Sequence, residues 1–368
     1  MAFHVAIAGV TGAVGQEFLA LLDEREFPLA SLRPLASARS DGKTITFRGE
    51  TLTIEELTED SFAGVDIALF SAGGSISKQF APAASAAGAI VIDNSSAFRM
   101  TPGVPLIVPE VNAHHLDASG IAIGDPLPRP DDLADPSLAG VIANPNCSTI
   151  IMLMAVDPIH RAVGVERIVA STYQAASGAG AAAMAELEQQ TRESLDGTPP
   201  ESLTQDIFGR PYAFNLFSHD SPMQPNGYNQ EEMKMVHETH KIWGQLDPAS
   251  QARITATCVR VPVMRAHAES INLTLAAPLS ADRARALLAD APGVTLLDDH
   301  EANRFPTPLD ASGRDDVYVG RVRQDLSQPD GLGLDLFVCG DQVRKGAALN
   351  AVQIAEHLVS RATAGQPR

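Results

Sequence analysis

A chain of 368 residues is longer than a single hydrophobic core usually supports, so two domains with a ligand cleft are expected. Hydrophobic residues make up 45% and charged residues 20%, which excludes global disorder. A formal net charge of -18 and a pI near 4.9 exclude a protein that grips phosphate backbones or anionic membranes, since both tasks need clustered Lys and Arg. An anionic small molecule would have to meet individual cations held in a cleft.

The opening "MAFHVAIAGVTG" carries no basic stretch and too short an apolar run for a secretory signal, so a cytoplasmic location is expected. In the first third, "HVAIAGV", "DIALFSA", "AIVIDNS", "PLIVPEV" and "VIANPN" read as strands. Val14, Phe18, Leu21 and Leu22 recur between them at helical spacing. This β-α-β alternation predicts a doubly wound, Rossmann-like parallel sheet over residues 1–146.

"GVTGAVG" sets Gly9, Gly12 and Gly15 at the end of the first strand and the start of the first helix. Glycines there allow a tight turn, and a helix N-terminus offers free N–H groups to a pyrophosphate. The bland alternative is a merely tight turn. At the end of the second strand NAD sites usually carry an acid; here Ser37, Arg39 and Ser40 stand instead. A guanidinium and two hydroxyls suit a 2′-phosphate, so NADP(H) is expected, against an exposed loop arginine. "SAGGS", from Ser71, follows another strand and is read as lining the cofactor or as a flexible turn.

Residues 125–136, "DPLPRPDDLADP", hold four prolines and four aspartates and read as a surface loop without EF-hand spacing. "NPNCST" follows. Pro145 cannot lie inside a helix, so the helix should begin near Cys147, where free N–H groups and the macrodipole favour a thiolate. The alternatives are a nucleophile and a buried structural thiol. Cys258 and Cys339 sit in alternating strands and read as structural; three scattered cysteines suggest neither disulfides nor a zinc site.

From residue 147 to 344 the strands "RIVASTY", "RITATCVRVPV", "AESINLTLAA" and "GLDLFVCG" alternate in polarity, predicting an α+β domain with a mainly antiparallel sheet. A nucleophilic thiol beside a nicotinamide needs a proton-transfer group, and His267, tuned near neutrality, is the candidate. His237 and His240 form an HxxH pair, read as helix surface rather than a metal site; no metal is expected. The segment 345–368 reads as an amphipathic helix packed back on the first domain.

Together "GVTGAVG", "LASARS", "SAGGS", "DNSSAFRM", "VPEVN", "NPNCST", "STYQAASGAG", "EEMKM", "ETHKI", "CVRVPVMRAH" and "KGAALNAVQIAE" resemble the aspartate-semialdehyde dehydrogenase family nearly end to end. The resemblance implies Cys147 as nucleophile, His267 as acid/base group and Gln174 as orienter of substrate or thioester. Arg260 would bind the substrate α-carboxylate and Glu231 its amino group; Arg99 and Lys234 would hold the phosphoryl group, with Asn146 also touching substrate. The cofactor set extends to Thr11, Ala13, Val14, Ala72, Gly73, Ser177, Gly178 and Asn350.

The chain departs from the family in its long Pro/Asp segment and in "DQV", residues 341–343, which leaves Gln342 without a role. The implied reaction is NADPH-dependent conversion of L-aspartyl 4-phosphate to aspartate semialdehyde by a homodimer or homotetramer, in the biosynthesis of lysine, threonine and methionine. Two rivals are N-acetyl-γ-glutamyl-phosphate reductase and a catalytically silent NADP-binding sensor. No nucleic-acid or membrane partner is expected.

Overall fold

The computed structural model describes residues 1–128, 133 and 135–364. Part of the Pro/Asp-rich segment (129–132 and 134) and the end of the C-terminal segment (365–368) lie outside the described residues. The chain divides into two compact units, Met1–Asn146 with Ala347–Arg368, and Cys147–Gly346.

The first unit begins with β1 (Phe3–Ala8), α1 (Ala13–Glu24), β2 (Leu29–Ala36), a small hairpin of β3 (Thr44–Phe47) and β4 (Glu50–Thr53), and β5 (Glu55–Glu56). It continues through β6 (Ile67–Phe70), α2 (Gly74–Ala86), β7 (Ile90–Asp93), α3 (Pro109–Ala118) and β8 (Val141–Ala143). Six strands form a sheet in the order β5-β2-β1-β6-β7-β8, every pairing parallel. The order reverses beside β1, the place where open α/β sheets bind ligands. Fully buried strands explain the continuous apolar runs: Ile67–Phe70 and Ile90–Asp93 expose nothing. Each such Ile, Leu or Phe contributes roughly 1.5–3 kcal/mol.

"PLIVPEV" is a correction to the sequence reading. Only Leu106 makes a bridge, parallel to Ala143, and α3 begins at Pro109, where a proline's fixed φ and missing N–H suit the first helical position.

The second unit contains α4 (Cys147–Val163), β9 (Val165–Gln174), α5 (Ala181–Leu195), β10 (Phe217–Ser218), α6 (Gln230–Ile242), β11 (Arg253–Arg260) and β12 (His267–Leu275). After these come α7 (Ala281–Ala289), β13 (Val294–Leu296), α8 (Pro308–Ala311), β14 (Val317–Gln324) and β15 (Gly333–Gly340). Its seven strands run β10-β11-β9-β12-β15-β14-β13. The β11–β9 and β13–β14 pairs are parallel and the other four antiparallel, so the sheet is mixed with an antiparallel majority.

The chain then turns through Arg344–Ala348 into α9 (Leu349–Ala364). Leu349, Val352, Ile354, Ala355 and Leu358 of α9 join the first unit's core with Phe18, Leu21, Leu22 and Ile7. Among the described residues no helix is long and apolar enough to cross a membrane.

Candidate active site

In the first unit the glycine turn follows from close backbone approach. Gly9 has φ +92°, and a Cβ there would lie 2.6 Å from the Ser71 carbonyl oxygen. A Cβ on Gly15 would come within 2.3 Å of the Gly9 oxygen. Gly12 caps α1 without any side-chain hydrogen bond, so the N–H groups of the first turn, at Ala13 and Val14, face no capping side chain.

Beside this turn lies a cavity of about 460 Å³ lined by Gly9, Thr11, Gly12, Ser37, Ser71, Ala72, Ile76, Phe80 and others. Its backbone donors and apolar wall fit the nucleotide end of a dinucleotide. Arg39 and Ser40 follow on the short turn Ala38–Ser40, outside that lining. Gly73 caps α2 at φ +91°. One lining residue, Glu56, was not signalled by the sequence: it lies on β5, opposite Ala36 at the end of β2.

Three further predicted residues are buried in this unit. Arg99 donates from Nε to the Asn144 carbonyl at 2.9 Å and from Nη2 to the Asn94 carbonyl at 3.0 Å. Asn350 spends its amide donors on the Ile107 carbonyl (2.8 Å) and Asn144 Oδ1 (2.6 Å), so it braces the backbone between α9 and the strands. Asn146 is 5% exposed. Asp93, expected only as part of a motif, accepts from the Ser77 and Ser95 hydroxyls at 2.7 Å each. Burial nevertheless pushes its carboxyl upward.

In the second unit Cys147 is partly exposed and opens the 17-residue α4, the end of a helix that favours negative charge. Gly346 packs so closely that a Cβ there would sit 2.8 Å from the Cys147 Cβ. Cys258 and Cys339 are free and fully buried, and burial pushes both thiols far up; neither is poised to react.

Gln174 ends β9, Arg260 ends β11 opposite it, and His267 begins the antiparallel β12. All three therefore stand at the same end of the sheet. Gln174 Nε2 donates to Glu231 Oε1 at 3.2 Å, and Lys234 Nζ donates to the other oxygen at 2.9 Å. Glu231 is fixed by the N-terminus of α6, where Asn229 and Glu232 make a reciprocal capping box and Glu232 also accepts from the Cys258 N–H at 3.0 Å. Arg260 donates from Nε to Asp220 at 2.9 Å and lies 5.7 Å above the Phe208 ring. Burial works against the charge on Asp220, but the adjacent guanidinium holds its carboxyl below the ordinary range.

His267 is fully buried. The Ala175 N–H donates to its Nδ1 at 3.0 Å, while Nε2 has no partner among the described residues. Burial first, and Arg260 second, lower its pKa to about 3. The expectation of a histidine tuned near neutrality is therefore corrected: as folded, the ring is neutral.

Gly178, expected at the cofactor, stands against the chemistry, since a Cβ there would lie 3.1 Å from Arg260 Nη1 and 3.2 Å from His267 Nε2. Ser177 accepts from Gln342 Nε2. Gln342 Oε1 accepts from the Ala266 N–H at 3.0 Å, so this residue ties the turn before His267 to the turn after Gln174. Asp220 carries no local sequence signal; Gln342, within "DQV", and Gly346, within "KGAALNAVQIAE", are given their neighbours here only by the fold. His240 lies on α6, with its ring against the Ala252 carbonyl at 2.8 Å.

The first unit thus has the architecture of a dinucleotide-binding dehydrogenase domain, and the second offers a partly exposed thiol at the start of a helix. Residues 4–119 match the family model "Semialdehyde dehydrogenase, NAD binding domain", and residues 156–345 match "Semialdehyde dehydrogenase, dimerisation domain". The aspartate-semialdehyde dehydrogenase of Synechocystis is 53% identical over 358 residues, 97% of this chain and 98% of that one.

The structure of aspartate semialdehyde dehydrogenase II of Vibrio cholerae complexed with ASA has a TM-score of 0.87 at 45% identity, covering 98% of this chain and 99% of that one. The Candida albicans aspartate semialdehyde dehydrogenase with NADP, at 22% identity and TM-score 0.71 over 98% and 99% of the chains, shares the fold. The chain belongs to the aspartate-semialdehyde dehydrogenase family.

Proposed function

We propose that this chain carries out the NADPH-dependent reductive dephosphorylation of L-aspartyl 4-phosphate to L-aspartate 4-semialdehyde, the step that serves lysine, threonine and methionine biosynthesis. The observation that carries the reading is the placing of Cys147 at the start of α4 in the unit that gathers Gln174, Arg260 and His267 at one sheet end. Bound NADPH supplies the hydride. Gly9, Thr11, Gly12, Ala13, Val14 and Gly15 would hold its pyrophosphate side; Ser37, Arg39 and Ser40 its 2′-phosphate; Ser71, Ala72, Gly73, Ser177, Gly178 and Asn350 complete the assignment.

Cys147 attacks the acyl phosphate carbon, a C–S bond forms as the C–O bond to phosphate breaks, and a thioester remains on the enzyme. Because Nδ1 of His267 is occupied as an acceptor, its neutral ring presents N–H at Nε2. His267 therefore enters as a hydrogen-bond donor to the substrate oxygen, where charge develops, and holds that oxygen until the thiohemiacetal collapses to aldehyde and Cys147 thiolate. Gln174 orients the thioester, Arg260 takes the α-carboxylate bidentately, and Glu231 takes the ammonium. Arg99, Lys234 and Asn146 are assigned to the phosphoryl end.

A carboxylate at Glu231 suits a free ammonium rather than an acylated amine, which weighs against the sister N-acetyl-γ-glutamyl-phosphate reductase reading. The relatives described above all bear the aspartate name. A homodimer or homotetramer formed through the second unit is supported by the dimerisation-domain match and by one partly exposed sheet face, where Tyr173 is 38% exposed. A cytoplasmic setting is supported by Cys147, Cys258 and Cys339, which form no disulfide among the described residues.

The test is to incubate the protein with aspartate semialdehyde and NADP⁺ without phosphate, quench in acid and map the adduct by mass spectrometry. An aspartyl thioester on Cys147 is expected. Adduct elsewhere, or none, while NADP⁺ binds, would overturn the residue assignment.

A further inference from the structure

We infer that Glu56 reads the base of the dinucleotide, accepting a hydrogen bond from the exocyclic amine of adenine. This rests on the cofactor reading above and extends it to a residue whose motif gave no hint. Glu56 is the second residue of the two-residue strand β5, in register with Ala36. Its backbone is fixed on both sides: its own N–H donates to Asp41 Oδ1 at 3.0 Å, and the next N–H, of Leu57, donates to the Ala36 carbonyl at 2.8 Å.

The neighbouring Glu55 turns to Arg33, 4.0 Å away. The Glu56 side chain makes no hydrogen bond or ion pair among the described residues, and it lines the 460 Å³ cavity together with Leu57, Ile76, Gln79 and Phe80.

Two parts of the dinucleotide could meet an acid at this end of β2: the ribose and the base. In an NADP site a carboxylate at the ribose would repel the 2′-phosphate, like charge against like at close range. Ser37, Arg39 and Ser40 already supply the donors that a phosphate needs. The apolar walls of Leu57, Ile76 and Phe80 suit a flat aromatic base, whose polar edge then needs a partner at the rim. Gln79 presents both a donor and an acceptor, so it accommodates an amine or a carbonyl at that edge. A carboxylate only accepts, so Glu56 selects the amine of adenine over the carbonyl of hypoxanthine.

The experiment is calorimetric titration of the full chain, without substrate, with NADP⁺, its hypoxanthine analogue and NAD⁺. The parent, Glu56→Gln and Glu56→Ala are compared. The parent is expected to prefer NADP⁺ over the hypoxanthine analogue by about tenfold. Glu56→Gln, whose amide also donates, should bring the two within about twofold. Glu56→Ala should lose about tenfold for NADP⁺ with little change for the analogue.

An unchanged adenine preference in both variants overturns the assignment. So does a rise in NADP⁺ affinity over NAD⁺ in Glu56→Gln, which would put the carboxylate at the ribose. No NADP⁺ binding by the parent would sink the cofactor reading and this inference with it.

Discussion

The Ala175 N–H donates to Nδ1 of His267 at 3.0 Å, and this bond decides which proton the histidine can offer. With Nδ1 accepting, the neutral ring carries its hydrogen on Nε2. Burial lowers the ring's pKa to about 3, so it stays neutral across the working range. The pH profile of kcat/KM should then contain no inflection between pH 5 and 8 belonging to His267. Substituting His267→Asn should cost about 100-fold or more and leave the positions of the remaining inflections unmoved. An inflection near pH 6.5 that vanishes in the variant would contradict this.

The same ring affects stability. Unfolded, it titrates near its ordinary value of 6.5, and folded only at about 3. Between these values the unfolded chain binds the additional proton, so the contribution is whole above about pH 6.5 and fades as pH falls toward 3. Thermal melts of the parent and His267→Asn should show a smaller loss of Tm between pH 7 and 5 in the variant.

Glu269 gives the opposite slope. It lies two residues beyond His267 on β12, fully buried, with neither carboxyl oxygen partnered among the described residues. Burial raises its pKa well above 4.5. The folded chain therefore holds a proton that the unfolded chain releases, and stability declines as pH rises above the unfolded value. Relative to the parent, Glu269→Gln should become progressively more favourable in Tm from pH 5 to 9. A Tm difference that is flat with pH would show the carboxyl to be ionised.

Gly15→Ala tests the nucleotide turn. The added methyl meets the Gly9 oxygen at 2.3 Å and the Val10 Cα at 2.7 Å, both backbone atoms that cannot step aside cheaply. A loss of about 1–3 kcal/mol in stability is expected, together with weakened NADP⁺ binding at temperatures where the variant is folded. Gly12→Ala, whose nearest neighbour would be 3.4 Å away, should be milder on stability.

Arg260→Lys tests substrate recognition. The guanidinium donates from Nε to Asp220, and in the proposed role its remaining donors take the substrate carboxylate, a fork that an ammonium cannot reproduce. A rise in KM for aspartate semialdehyde of about tenfold or more is expected, with NADP⁺ affinity unchanged. Asp220→Asn should give a smaller KM effect of the same sign.

The parts legible in sequence were those set by local backbone rules. Gly9 and Gly15 announce themselves because no side chain fits there, and Pro145 marks where the helix after it must start. The misreading of 105–111 has a physical source: a short apolar run with β-branched residues looks like a strand, and only Pro109 at the first helical position says otherwise. The parts played by Asp220, Gln342 and Gly346 were out of reach, because each acts through a neighbour distant in sequence. The neutrality of His267 was also out of reach, since it depends on burial and not on the residue's identity. Glu56 was missed for a topological reason: the acid stands on the strand beside β2 instead of on β2 itself.

The most direct test is NADPH production by the purified chain given aspartate semialdehyde, phosphate and NADP⁺, with Cys147→Ala measured beside it. Phosphate-dependent turnover in the parent, abolished in a variant that still folds and binds NADP⁺, is the predicted result. Turnover that survives the loss of Cys147, or a folded, NADP⁺-binding parent with no phosphate-dependent turnover, would contradict the thioester route.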